Sequence, residues 1–287
     1  MQNPKDTASS KPLTLVLTAT GKTGRRVADR LEERGVPIRR GSRSAEVPFD
    51  WDDPITWEPA LVGVEAAYVV YTPDLAVPAA PAAIREFTQL AVRSGVRRLV
   101  LLSGRGEEEA QRCERIVQDS GLDWTIVRAS WFSQNFSEGA FHDLVVGGEV
   151  ALPAGAVAEP FVDVDDIADV AVAALTEDGH TGQVYELTGP RLLTFADAVA
   201  EIAEASGREV RYVQVPREVF AAGLAEAGVP ADDVELLKYL FTTVLDGRNA
   251  HVTDGVERAL GRAPRDFREY ARDVAATGVW HGAIQGA

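Results

Sequence analysis

The chain has 287 residues, 46% hydrophobic and 25% charged, the composition of an ordinary globular protein. A formal charge of −15 repels phosphate backbones and anionic headgroups, which argues against nucleic acid and membrane surfaces as partners. No apolar run approaches the roughly 20 residues that span a bilayer, and Cys113, the only cysteine, leaves neither an intrachain disulfide nor a Cys-based zinc site.

Met1–Lys11 is polar with no apolar stretch and reads as a loose tail rather than a secretory signal, so a cytoplasmic location is expected. Leu13–Leu17 is a continuous apolar run, the pattern of a strand buried on both faces of a parallel sheet. A glycine-containing turn leads to a helix over Arg25–Arg34, stopped by Gly35, and to a short strand at Val36–Arg40. Pro48–Asp53 reads as extended, Trp57–Val62 as a short helix and Ala66–Tyr71 as another buried strand. Helix Ala79–Ser94, strand Arg98–Leu102, helix Glu107–Ser120 and strand Asp123–Val127 follow, each helix closed by glycine. This alternation predicts an α/β fold, a doubly wound parallel Rossmann sheet occupying residues 12–150.

Residues 151–287 are expected to complete the sheet and to form a smaller, mostly helical subdomain on the substrate side. Helices are predicted at Phe136–Val146, Val164–Leu175, Thr194–Ser206, Arg217–Ala227, Asp232–Leu245 and Phe267–Ala276, with strands at Val184–Leu187 and Glu209–Gln214. Val234, Leu237, Phe241, Val244 and Leu245 share one face, which fits core packing better than a dimer surface; the chain is expected to be a monomer or homodimer.

The first turn, Thr18-Ala19-Thr20-Gly21-Lys22-Thr23-Gly24, lies between a buried strand and a helix. It is a G-x-x-G-x-x-G phosphate loop whose first glycine is Thr18: Gly21 admits a pyrophosphate to the backbone, and Gly24 lets the helix pack on the strand. Thr18 carries a Cβ that resists positive φ, so a reshaped turn is expected. A triphosphatase loop ending in Gly21-Lys22-Thr23 would need glycine where Val16 stands inside the strand, so that alternative fails.

A nicotinamide dinucleotide is therefore the expected cofactor, and the end of the second strand selects NADP(H). No acid stands there to accept from a ribose 2′-hydroxyl, whereas Arg43, assisted by Ser42 or Arg39, can bind a 2′-phosphate. Residues 1–45 carry ten Lys and Arg against four Asp and Glu, a local +6 that leaves −21 elsewhere, which places positive charge where the phosphates are expected.

The chain resembles the NmrA-like group of atypical short-chain dehydrogenases/reductases. TATGKTG, GVRRLVLLSG at 95–104, SGLDWTIVRASWFSQNF at 120–136, FVDVDDIADVAVAAL at 161–175 and YELTGP at 185–190 carry the resemblance. It implies pyrophosphate on Thr20–Gly24, including Lys22 and Thr23, and adenine near Arg43, Asp50 and Trp51. Tyr71, Thr72 and Pro73 would flank the ribose and diphosphate, Ser103 and Gly104 the nicotinamide ribose, and Ala129–Phe132 with Trp131 the nicotinamide. Trp131, Asn135 and Phe136 would face a small organic substrate, while Asp163 and Asp166 would cap and orient a helix.

The chain departs from that pattern in its proton donor. Short-chain reductases pair a Tyr with a Lys four residues on, and no tyrosine here has that partner. Helix Glu107–Ser120 also lacks the Lys found in active isoflavone-reductase relatives, and its Arg112 and Arg115 cannot release a proton near neutral pH. Ser103 is the remaining catalytic candidate; Leu101 upstream excludes an esterase elbow around it, and His142, His180, His251 and His281 have no metal-ligand spacing. The expected activity is NADPH-dependent reduction of a conjugated or quinone-like molecule. The alternatives are a non-catalytic NADP(H) sensor and a cofactor-dependent isomerase or dehydratase.

Overall fold

The computed structural model describes residues 12–281, so the expectation for Met1–Lys11 lies outside the described residues. Leu13–Leu17 (β1) leads through the phosphate loop into Lys22–Glu33 (α1) and on to Ile38–Gly41 (β2). Trp57–Leu61 (α2), Val64–Val69 (β3), Ala80–Arg93 (α3), Arg98–Gly104 (β4), Glu108–Gln118 (α4) and Asp123–Ala129 (β5) follow. Two short helices, Asn135–Glu138 (α5) and His142–Val146 (α6), precede strands Glu149–Leu152 (β6) and Ala158–Glu159 (β7). Val164–Thr176 (α7) then brings the chain back to the sheet at Gln183–Leu187 (β8).

The six strands run parallel in the order β2-β1-β3-β4-β5-β8. The chain leaves β1 toward β2 on one side and resumes at β3 on the other. Their carboxyl ends therefore splay around a crevice, the switch point where doubly wound sheets take ligands. Strand alternation sorts the core into two layers. Leu15 and Leu17 of β1 and Leu99 and Leu101 of β4 pack beneath α3 and α4, while Val16 and Val100 pack onto α1 and α7.

A third core lies beyond the sheet, built from α5, α6, β6 and the remaining elements. These are Leu193–Thr194 (β9), Phe195–Ser206 (α8), Arg211–Gln214 (β10), Arg217–Glu226 (α9), Ala231–Tyr239 (α10), Gly255–Leu260 (α11) and Phe267–Ala276 (α12). All but α10 and α11 contribute to it, with Phe136, Phe141, Phe195, Phe241 and Phe267 buried at its centre. α11 instead packs beside β8 and α7, its Val256 entering the second sheet layer. The subdomain is mostly helical, and beside the strand expected at Glu209–Gln214 it holds three short ones: β6 pairs in parallel with β10, and β7 with β9 in antiparallel. Strands of two to four residues are too short for a two-residue period to show in the sequence.

Three local expectations need correction. Pro48–Asp53 forms no strand; the chain turns there, bridging Asp50 to Asp53, while Phe49 and Trp51 turn into the core. The helix predicted at Phe136–Val146 breaks at Gly139 into α5 and α6. The helix predicted at Asp232–Leu245 ends at Tyr239 and continues as a π-helical turn over Leu240–Val244.

The β1–α1 turn is the tightest point of the fold. Thr18 takes the left-handed conformation at φ 53°, where a glycine is usual, and its hydroxyl donates to the Val70 carbonyl at 3.2 Å. Its own carbonyl accepts from Gly21 N–H at 2.8 Å and lies against the start of α1. A Cβ on Gly24 would stand 2.2 Å from that oxygen. Gly24→Ala is therefore expected to cost about 2 kcal/mol or more through overpacking, seen as a lowered thermal midpoint in circular dichroism. A wild-type midpoint would contradict the packing described.

Candidate active site

α1 begins at Gly21 with no side-chain cap and no acidic residue in its first turn. The amides of Lys22, Thr23 and Gly24 consequently have no acceptor within the helix, and they stand at its positive end beside the switch point. This is a site for an anion. With the glycine cradle at Gly21 and Gly24, the residues present fit the pyrophosphate of a dinucleotide.

The local positive charge is distributed differently from expectation. Arg26 pairs with Glu138 at 2.7 Å, and Arg30 with Asp165 and Asp169 at 2.6 and 2.8 Å, clamping α1 to α5 and α7. Arg25 also pairs with Glu138, Arg34 with Glu177, and Arg40 with Asp29 and Glu32. Arg39 is removed from the candidate cofactor residues, because its guanidinium donates to the carbonyls of Ala60 and Val62 at 2.8 and 2.7 Å. Arg43 has no hydrogen bond or ion pair with any described residue.

Two connected cavities extend from the strand ends. The outer cleft, about 1110 Å³, is lined by Thr18, Thr20, Ser42, Arg43, Asp50, Trp51 and Tyr71–Pro73 among others. Among the described residues, Arg43 is the only cation in that lining, which also holds Asp50, Asp52, Glu108, Glu109 and the acids at the start of α10. The Trp51 indole donates to the Val70 carbonyl at 2.9 Å and packs edge-on to Phe49, which holds it as a wall. Thr18, Tyr71, Thr72, Pro73 and Leu236 belong to both cavities and form the passage inward.

The inner chamber, about 410 Å³, lies at the ends of β4 and β5. Lys22, Thr23, Ser103, Gly104, Ala129, Trp131, Phe132 and Asn135 all line it. Lys22 Nζ donates to Asn135 Oδ1 at 3.0 Å, tying the phosphate loop to α5, and burial holds its pKa below the usual lysine value. Phe136 is not part of the chamber: it is fully buried among the aromatic rings of the third core. Leu236, Leu237 and Leu240, with Val244, roof the chamber, so one flank of this segment covers the site while Val234, Phe241 and Leu245 are buried.

Ser103 lines the chamber, but its hydroxyl donates to Glu114 Oε1 at 2.6 Å. Glu114 also accepts from Arg128 at 2.8 Å, and Arg128 pairs with Glu186 at 2.5 Å. The Ser103 proton thus serves a buried network beneath α4. Asp163 caps α7 through the Asp165 amide at 2.8 Å and accepts from Gln134 at 2.6 Å, while Asp166 binds Arg262 at 2.6 Å.

Sequence reasoning missed the chamber's other ionisable side chains: Asp74, Arg105, Glu107 and Glu159. The Asp74 and Glu107 carboxyls face each other closely enough to hydrogen-bond, and burial raises both pKa values. The Glu107 carboxyl fills the space over Gly104, where a Cβ would stand 2.1 Å from it. Burial pushes the Glu159 carboxyl up to about 7. Glu107 opens the helix predicted after the Arg98–Leu102 strand and could have been flagged by position. Glu159 sits in a two-residue strand and carries no such signal. Among the described residues, no His, Cys, Asp and Glu group could hold a metal, and no helix is long and apolar enough to cross a membrane.

A parallel sheet with its switch point at a glycine cradle defines a dinucleotide-binding protein. An NAD(P)H-binding family model matches residues 18–178, and the NmrA-like family model matches residues 108–272. The chain belongs to the NmrA-like family. An NAD(P)H azoreductase from Xenophilus azovorans is 31% identical over 91% of this chain and 98% of its own. Agroclavine dehydrogenase from Claviceps fusiformis is 32% identical over 91% and 97%. The structure of an NADPH-dependent quinone oxidoreductase from Escherichia coli is similar with a TM-score of 0.77 at 23% identity, covering 91% of this chain and 99% of that one.

Loss of a charge-assisted phosphate contact costs about 1.5–3 kcal/mol. Arg43→Ala is expected to weaken NADPH about tenfold to a hundredfold in a tryptophan-fluorescence titration while leaving NADH nearly unchanged. Equal weakening of both would place the 2′-phosphate elsewhere.

Proposed function

We propose that this protein is an NADP(H)-dependent reductase of small conjugated or quinone-like organic molecules. The observation that carries this reading is the continuity of the two cavities. A dinucleotide whose pyrophosphate rests on the Lys22–Gly24 amides and whose 2′-phosphate meets Arg43 and Ser42 would direct its other end into the chamber at β4 and β5. When bound, the nicotinamide supplies a hydride.

The chain's part is to align an acceptor and keep water out. Trp131 and Phe141, stacked with centroids 6.3 Å apart, stand on one wall, and the leucines of α10 and the π-helical turn form the roof. A flat, partly aromatic molecule fits such a space. The azo-compound reduction named for the Xenophilus relative and the quinone reduction named for the Escherichia coli structure lie in the same acceptor class.

Purified protein with NADPH is expected to bleach reduced-nicotinamide absorbance when given quinones, enones or azo dyes. Tight NADPH binding with no oxidation across such a panel would refute the reductase reading and favour a non-catalytic NADP(H) sensor.

A further inference from the structure

Reduction of a neutral conjugated acceptor needs a proton as well as a hydride, and the chain lacks the Tyr and Lys that would supply one. The chamber's ionisable groups can be taken in turn. The Ser103 hydroxyl is committed to Glu114. Glu107 also leaves one oxygen, Oε2, without a hydrogen-bond partner, but its carboxyl faces Asp74, so a proton held there is shared within the pair. Burial and Asp52 make the Tyr71 phenol a weaker acid than usual. The Lys22 ammonium is bound to Asn135 at the pyrophosphate end.

Glu159 differs from all of these. Its side chain is fully buried in the chamber wall, and its backbone is fixed by the pairing of Glu159 with Leu193. Oε2 accepts from the Ser130 hydroxyl at 3.3 Å, whereas Oε1 has no hydrogen-bond partner. A buried polar atom without a partner is uncommon and marks either strain or a missing ligand.

We propose that Glu159 donates the proton to the far oxygen or nitrogen of the bound acceptor, which makes the substrate a neutral molecule with a carbonyl or azo lone pair at that end. This rests on the reductase reading. Protonated Glu159 presents an O–H that finds no acceptor among the described residues, so the occupant of the chamber supplies the lone pair. A hydride arriving at one end of the conjugated system brings two electrons and leaves negative charge on the far heteroatom. The Glu159 O–H bond breaks as its proton moves there and an O–H or N–H bond forms. The resulting carboxylate is stabilised by Ser130 and by the charge of Arg105, then regains a proton from solvent.

The surroundings keep this carboxyl protonated near neutrality. Burial dominates, Asp246 from the segment after the π-helical turn adds repulsion, and Ser130 and Arg105 oppose them only in part. Arg105 is occupied elsewhere, with His251 Nε2 at 2.9 Å, the Asn249 carbonyl at 3.3 Å and Glu186 at 3.5 Å. Across the chamber stand Lys22 and the Asp74–Glu107 pair.

Glu159→Gln separates the roles. With a quinone, turnover should fall about a hundredfold, in the range for loss of a general acid. The wild-type decline in kcat above about pH 7 should vanish with it. Ser130→Ala removes a hydrogen bond that favours the carboxylate, so it should move that decline to higher pH. A triarylmethyl cation, which accepts hydride without a proton, provides the contrast: the Glu159→Gln loss on the quinone should exceed its loss on the cation at least tenfold. Thermal melting gives a readout independent of turnover. The unfolded chain ionises Glu159 from about pH 4.5 while the folded chain holds its proton to about pH 7, so wild-type stability falls across that window. Glu159→Gln should therefore gain in midpoint over wild type as pH rises through it. Equal losses on both acceptors, or a pH limb that persists in Glu159→Gln and stays put in Ser130→Ala, would overturn the assignment. Failure of the wild type to reduce either acceptor would instead sink the reductase reading beneath it.

Discussion

The contact between the Thr18 carbonyl and Gly24 governs the rest of the site. It brings the first turn of α1 onto the end of β1 with no side chain between them, at a distance that a Cβ would close to 2.2 Å. The three unpaired amides consequently stand at the switch point of the sheet rather than above it. Thr18 accepts a left-handed backbone to make this possible, and its hydroxyl bond to Val70 offsets part of that cost.

Charge is arranged to leave this place free. The arginines of α1 could have neutralised the cleft's acids, but they face Glu138, Asp165 and Asp169 on α5 and α7 instead. Such half-exposed pairs contribute modestly one by one, and their network locks α1 in the position that the glycine contact requires. Arg43 then faces an outer cleft lined with carboxylates, and in the proposed cofactor pose it is the cation that would meet the 2′-phosphate.

In the proposed reductase, burial in the inner chamber would do what a Tyr and Lys pair does by charge. Desolvation favours the neutral form of a carboxyl, and Glu159, Glu107 and Asp74 all respond in that direction. Glu107 Oε2 and Glu159 Oε1 both lack a hydrogen-bond partner among the described residues, and what separates them is the neighbour: Glu107 faces the Asp74 carboxyl, whereas Glu159 has only the Ser130 hydroxyl beside it.

Much of the fold was legible in the sequence, because a parallel sheet buried on both faces writes itself as unbroken apolar runs closed by glycine. The strand at Leu13–Leu17, the turn after it and the absence of an acid near Arg43 are local features that a linear reading can hold. The cap was harder: β7 and β9 have two residues each, and a helical period does not announce the break at Gly139. Position at the end of the second strand misassigned Arg39, since only folding brings the Ala60 and Val62 carbonyls within its reach. Phe136 and Trp131 looked alike in sequence, yet the turn before α5 sends one into the core and the other to the chamber wall. The sequence by itself determined where the dinucleotide's phosphates are expected, since a strand, a turn and a helix start are contiguous. Tertiary structure alone decided which carboxyl lies dry and unpaired beside the chamber, because desolvation depends on neighbours distant in the chain.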